Sequence, residues 1–360
     1  MFTVGIEEEF HIVDPETRQI APDAERILSR VDGDVLEPEL QKSQVETGTA
    51  VCETLDDVRQ ELKRLRHEAS QAAEAAGRRL AASGTHPMSD WRTTETFPKH
   101  AYLLLERNYQ QLAREQVVCG CHVHVGFDDP EDPIRVMNRV KPWLPLILAL
   151  SSNSPFWMGE PTGYCSYRNR IWHRWPISGM PAIIRDRAEY ENLLQTLLST
   201  GSIDDPARIY WELRPSNKFN TLEVRIADVC MNVDDALLLA ALIRALCESC
   251  YRQEEDGVPA REYRPELLQA AVWRAARFGT SGHLIDVLDE RQVPAWDLIS
   301  QMLDFVRPVL RHRGEDDLVV DLLGAIRTRG TGASRQSEVY ERTGRLEDVV
   351  DLIIAETART

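Results

Sequence analysis

The sequence predicts an α+β fold, with helices packed on one face of a mainly antiparallel sheet and a helical C-terminal part. Three observations carry that reading. Five segments, 2–13, 40–47, 117–127, 208–215 and 222–230, alternate apolar and polar residues with the period of a strand. These strands are half polar, whereas parallel strands covered on both faces read as nearly continuous apolar runs. Segments with apolar residues three and four apart separate the strands and occupy almost everything beyond residue 265.

The first strand is the acidic GIEEEF segment, and the second is LQKSQVETGT. A helix is expected over 55–82, where Leu55, Val58, Leu62, Leu65, Ala69, Ala72, Ala76 and Leu80 share one face. Further helices are expected near 99–116, 134–150, 187–199, 234–251, 265–277, 295–310, 316–327 and 346–358. Residues 253–265 (QEEDGVPAREYRP) combine charge, Gly and two prolines, and divide a sheet-and-helix core, 1–252, from an entirely helical part, 253–360. Residues 328–337 (TRGTGASRQS) read as a Gly- and Ser-rich loop.

With 58 acidic and 42 basic side chains among 360 residues, the formal charge is −16. Nucleic-acid binding draws most of its affinity from Lys and Arg that replace phosphate counterions, and no basic stripe offsets this sign. Nucleic acid is therefore excluded as a partner. The longest purely apolar run, Trp143 to Leu150, falls far short of the roughly 20 residues that span a bilayer, so no membrane role is expected. No basic region followed by an apolar one opens the sequence, and a cytoplasmic protein is expected. Seven scattered cysteines suit free thiols in a reducing compartment. Cys247 and Cys250 form a CxxC on a helical pattern and read as small core residues rather than half of a zinc site.

Side chains alternate across a strand, so numbering parity decides which can meet. In the first strand Val4, Ile6, Phe10 and Ile12 form one face, and Glu7, Glu9 and His11 the other. His122 and His124 oppose Cys119, Cys121, Val123, Val125 and Phe127 in the third. Glu223 and Arg225 oppose Leu222, Val224 and Ile226 in the last, while Tyr210, Glu212 and Arg214 oppose Ile209, Trp211 and Leu213. The second strand adds Glu46; Glu39, at an odd offset, joins only if the strand starts after it or bulges. Each motif alone is weak, since glutamates at i, i+2 also mark a solvated edge strand. Together they place Glu7, Glu9, Glu46 and Glu223 with two histidines in one concavity if the strands are neighbours. Carboxylates about 4 Å apart repel by roughly 4 kcal/mol at an effective dielectric near 20, so cations belong there. Arg225 and Arg214 supply part of the balance, and a divalent metal the rest; a carboxylate-dominated site without thiolate suits Mg or Mn. Walker, dinucleotide, nucleophile-elbow and zincin motifs are missing from the sequence, so a bound nucleotide would rely on metals and arginines.

GIEEEF at 5–10, SQVETGT at 43–49, CGCHVHVG at 119–126, GYCSYRNRIWHRWP at 163–176, WELRPS at 211–216, TLEVRIADV at 221–229 and RGTGASRQ at 329–336 recur in order. Together they resemble the bacterial carboxylate-amine ligases of the glutamate-cysteine ligase type 2 family, the YbdK-like group. The resemblance implies a glutamine synthetase-like fold, a curved sheet lined with metal-binding carboxylates and backed by helices, with 1–360 as one catalytic domain. It implies ATP as co-substrate, with Mg or Mn clamping the triphosphate. Carried over residue by residue, Glu7, Glu9, Glu46, His122 and Glu223 match metal-ligand positions and Arg225 a phosphate-contacting arginine. Arg225, Glu223 and Glu9 are thus the expected catalytic residues, and Arg225, His124 and Arg335 the expected nucleotide contacts. Arg168, Arg214, Tyr167 and Trp211 are the expected substrate contacts. The 329–336 loop either closes over the site or is a surface turn.

The expected reaction transfers the γ-phosphoryl group of ATP to an amino-acid carboxylate, glutamate foremost, and an amine such as cysteine attacks the acyl phosphate. The partners implied are small amino-acid and amine substrates, and the family admits a homodimer. Two other readings use the same residues: a metal-dependent amide hydrolase turning over without nucleotide, and a non-catalytic nucleotide-binding relative. For a ligase, Glu9→Gln or Glu223→Gln should abolish turnover and leave the fold intact, since each relieves a crowded acidic site.

Overall fold

The computed structural model describes residues 2–31, 35–216 and 218–359. At its centre lies a seven-stranded sheet made of β1 (Val4–Val13), β2 (Glu37–Pro38), β3 (Gln44–Gly48), β4 (Arg79–Ala81), β5 (Gly120–Gly126), β6 (Leu213–Pro215) and β7 (Thr221–Asp228). The strand order is β6-β7-β5-β1-β3-β2, with β4 also paired to β1, and every pairing in this sheet is antiparallel.

Alternation sets its two faces. Val4 and Ile6 of β1, Val123 and Val125 of β5, and Leu222 and Val224 of β7 enter one apolar core with the helices Leu55–Ala75, Leu144–Ser151 and Val233–Glu255. The first of these helices starts on a capping box between Thr54 and Asp57. The C-terminal helices Ala295–Arg313 and Asp316–Arg329 join the same core against Val233–Glu255. Among the described residues no helix is long and apolar enough to cross a membrane.

Several expected boundaries move, each for a local reason. The helix from Leu55 stops at Ala75, because Gly77 turns the chain with a φ of 69° and Arg79–Ala81 becomes β4. The 99–116 helix breaks at Gln110, whose φ is 51°, into His100–Tyr109 and Gln111–Arg114. The segment 208–215 splits at Glu212: Tyr210–Trp211 pairs in parallel with Ser178–Gly179, and Leu213–Pro215 pairs with β7. The part beyond 253 is not entirely helical, since His283–Asp286 and Arg291–Pro294 form a hairpin. Residues 332–343 are a helix rather than a loop. Thr331 caps it, and Gly332 lies so close to Asn153 that a Cβ would sit 2.1 Å from its Oδ1. Glycine there permits a docking contact, which composition alone reads as a flexible turn.

Candidate active site

The face of the sheet opposite the apolar core carries the site. Register places Glu7 opposite His122, Glu9 opposite Glu46, and Glu223 opposite His124. The β5–β7 register slips by one residue between Val224 and Ala227, so Arg225 and Ile226 together oppose His122. Such a bulge re-aims side chains, and here Arg225 lines the cavity with Glu7, Glu9, Glu46 and His122. Glu37, Glu39, Tyr102, Trp172, Trp175 and Tyr210 complete the walls of a cavity of about 570 Å³.

The acidic groups divide by what compensates them. Burial works against ionisation of Glu7, but hydrogen bonds with His122 and His124 override it and hold the carboxyl well below its usual range. The distances are 3.0 Å to His122 Nδ1 and 3.2 Å to His124 Nε2. Burial likewise opposes Glu223, and Arg225 and Arg214 more than compensate, keeping it ionised. For Glu9 the balance is reversed: burial and the neighbouring Glu39 outweigh the charges of Arg168 and Arg225 and the Gly120 N–H, and push it up to about 8. Burial and then Glu7, Glu39 and Glu9 push Glu46 well above its usual range, and burial raises Glu39. His122 is driven down to about 4 by burial and by Arg225, so it is a neutral ligand-type imidazole.

Three carboxyl groups therefore lack sufficient positive charge from the chain itself. Ligand-type atoms of Glu7, His122 and Glu223, and of Glu9, Glu46 and His122, converge within 4.8 Å in each set. His122 Nε2 is buried with no hydrogen-bond partner among the described residues. This donor set, mostly carboxylate oxygen, fits Mg or Mn.

Other expected contacts fall elsewhere. Arg214 is saturated by Glu223 and the carbonyls of Ala207 and Ile209, and offers no free fork to a substrate carboxylate. Arg168 is buried behind Gly120, where a Cβ would meet its guanidinium at 2.2 Å, and stands outside the cavity lining. Its charge still reaches Glu9. Tyr167 sits among Trp157 and Tyr164, and Trp211 lies in the apolar core beside Tyr190. Arg335 is bonded to Glu356 and lines a different cavity with Lys63, Arg329 and Arg359, so the 329–336 segment does not close over this site. His124 stays beside the acidic group through Glu7 and Thr221. Glu39 joins because the chain doubles back: β2 pairs with β3, Glu37 opposite Glu46, so parity with β3 does not govern it. A hairpin within LEPELQKSQV, carrying Pro38, was the available signal.

An antiparallel sheet with a carboxylate-lined face, backed by helices, is the glutamine synthetase-like catalytic fold. The profile of glutamate-cysteine ligase family 2 (GCS2) matches residues 3–352, and the chain belongs to that family of ATP-dependent carboxylate-amine ligases. It is 43% identical over 372 residues to a Frankia alni protein provisionally named glutamate–cysteine ligase 2-2, covering 99% of this chain and 97% of the relative. A Herpetosiphon aurantiacus protein provisionally named glutamate–cysteine ligase 2 is 39% identical, with 99% and 93% covered. The glutamate–cysteine ligase of Francisella tularensis, solved in complex with AMP, superposes with a TM-score of 0.72 at 13% identity, covering 99% of this chain and 88% of that one.

Proposed function

We propose that the protein uses ATP to activate the side-chain carboxylate of an amino acid, glutamate, and joins it to an amine such as cysteine, releasing ADP and phosphate. The observation that supports this best is the acidic basin with the buried Arg225 guanidinium among its carboxylates. A carboxylate is a poor electrophile, and its acyl phosphate is a good one. Phosphoryl transfer asks for positioning and charge neutralisation rather than a protein nucleophile, which matches a site built of carboxylates, imidazoles and arginine.

Glu7, Glu9, Glu46, His122 and Glu223 would hold Mg or Mn ions, which when bound neutralise the triphosphate and polarise its phosphoryl oxygens. The chain's own groups do the rest. Arg225 is fixed by Glu223 on one side and by the Trp172 ring, 5.4 Å from its Cζ, on the other. Its Nε is buried without a partner among the described residues, leaving a donor for a phosphoryl oxygen. The Gly120 N–H anchors one oxygen of Glu9, which leaves the other toward His122. Tyr102, Trp175 and Tyr210 wall the cavity and would shield an acyl phosphate from water.

Release of ADP from Mg-ATP, screened across amino acids paired with amines, tests the reading. ADP should appear only when acid and amine are both present. Cleavage of a γ-glutamyl amide by metal alone, with no pair stimulating ADP release, would replace the ligase by a hydrolase.

A further inference from the structure

One end of the cavity holds polar atoms that no described residue satisfies and that the phosphoryl chemistry does not use. Gln44, Gln116 and Trp175 all line it and are 1%, 3% and 3% exposed. Gln44 Nε2 donates to the carbonyl of Val118 at 2.7 Å, and Gln116 Nε2 to that of Ile171 at 3.2 Å. Those bonds fix the amide orientations, so each Oε1 must be the group left over, and both are buried without a partner. Trp175 Nε1 is a buried donor in the same condition. Two acceptors and one donor thus belong to side chains that line the same space, together with Glu39. An unsatisfied buried polar atom costs about 1–3 kcal/mol, so three around one cavity call for a ligand that answers them.

We infer that this end binds the α-amino-acid head of the acid substrate, its ammonium on Gln44 Oε1, Gln116 Oε1 and Glu39, and its α-carboxylate on Trp175 Nε1. Geometry favours the acid over the amine partner. Gln44 and Glu46 lie on the same face of β3, two residues or about 7 Å apart. That spacing matches the reach from the α-ammonium of a glutamate-sized acid to its side-chain carboxylate, which would then lie at the acidic cluster. The substrate contact expected of Arg168 and Arg214 passes to this group.

The inference rests on the ligase reading, and the test separates the two. Wild-type protein is given Mg-ATP and hydroxylamine, which traps an acyl phosphate as a hydroxamate, with glutamate or with glutarate, the same diacid without its amino group. Glutarate should be used with kcat/KM at least about 1000-fold lower, because a site built to pair an N–H group is left unpaired by the analogue. In Gln116→Leu the KM for glutamate should rise about 10- to 100-fold, as expected for losing a hydrogen bond to a charged group, while the KM for ATP stays within about twofold. Equal use of glutamate and glutarate by the wild type overturns the head-binding role and leaves the ligase standing. Absence of ADP release with either acid overturns both.

Discussion

β1 carries acid on both of its faces, and the two faces are finished differently. Glu8 points into the helix-covered side, where Arg66 meets it through Nε at 2.9 Å and Nη2 at 2.6 Å, each residue being 1% exposed. Arg66 also donates to the carbonyls of Cys230 and Met231, so every charge there has a partner. One residue further along, Glu9 faces the cavity with Glu39 and Glu46, and burial and neighbouring carboxylates raise all three pKa values more than the nearby cations lower them. Charge that the chain neutralises itself holds the fold, and charge left over is available to bind something.

Breaking the satisfied side should have the largest effect on stability. Arg66→Met leaves Glu8 as a buried, unpaired carboxylate, and urea unfolding should register a loss of about 3–5 kcal/mol. A smaller loss in Arg66→Met combined with Glu8→Leu would confirm that the lone charge, rather than packing, is what costs.

On the other face, Glu9→Gln should leave the urea midpoint unchanged or raise it while lowering ADP release at least about 100-fold, as expected for losing part of a metal-borne charge clamp. Glu223→Gln, expected from sequence to be equally benign, belongs with Glu8 instead. It strands Arg225 and Arg214, and should cost about 3 kcal/mol as well as turnover. Equal stability of the two variants would erase the distinction.

His11 lies on the polar face beyond Glu9 but is fully buried, edge-on to His86. Burial pushes it down to about 4, and His86 well below its usual range. The unfolded chain takes up a proton near pH 6.5 that folded His11 refuses, so stability is complete above that pH and declines as pH falls toward about 4. Denaturation at pH 7 and pH 4.5 should differ by roughly 2–3 kcal/mol from this group, and His11→Phe should flatten the difference. The smallest effect is that of metal: Mg at about ten times its Kd should stabilise the wild type by about 1.4 kcal/mol in thermal scans. Glu46→Gln should remove most of that gain.

Parity made much of the acidic face legible, because a period of two assigns Glu7, Glu9, Glu46, His122 and Glu223 to polar sides before any register is known. It put Arg225 beside Glu223 without showing the bulge that aims it, and it could not place Glu39, which arrives through a chain reversal. Nor could it single out Gln44 and Gln116, whose significance is that the amide oxygen stays unpaired once the nitrogen is used, or show that the lone Nε1 of Trp175 is left without a partner among the described residues. Arg335, Tyr167 and Trp211 sit in ordered motifs yet support packing, and motif order does not distinguish a docking contact from a substrate contact.

Local alternation and helical spacing determined by themselves that this chain would make a half-polar sheet backed by helices, since these patterns depend on residues a few positions apart. Which carboxylates find a cation within the chain and which are left wanting one was decided only in the folded molecule. Electrostatic compensation depends on distances of a few ångströms between segments more than 100 residues apart, such as Glu9 and Gly120.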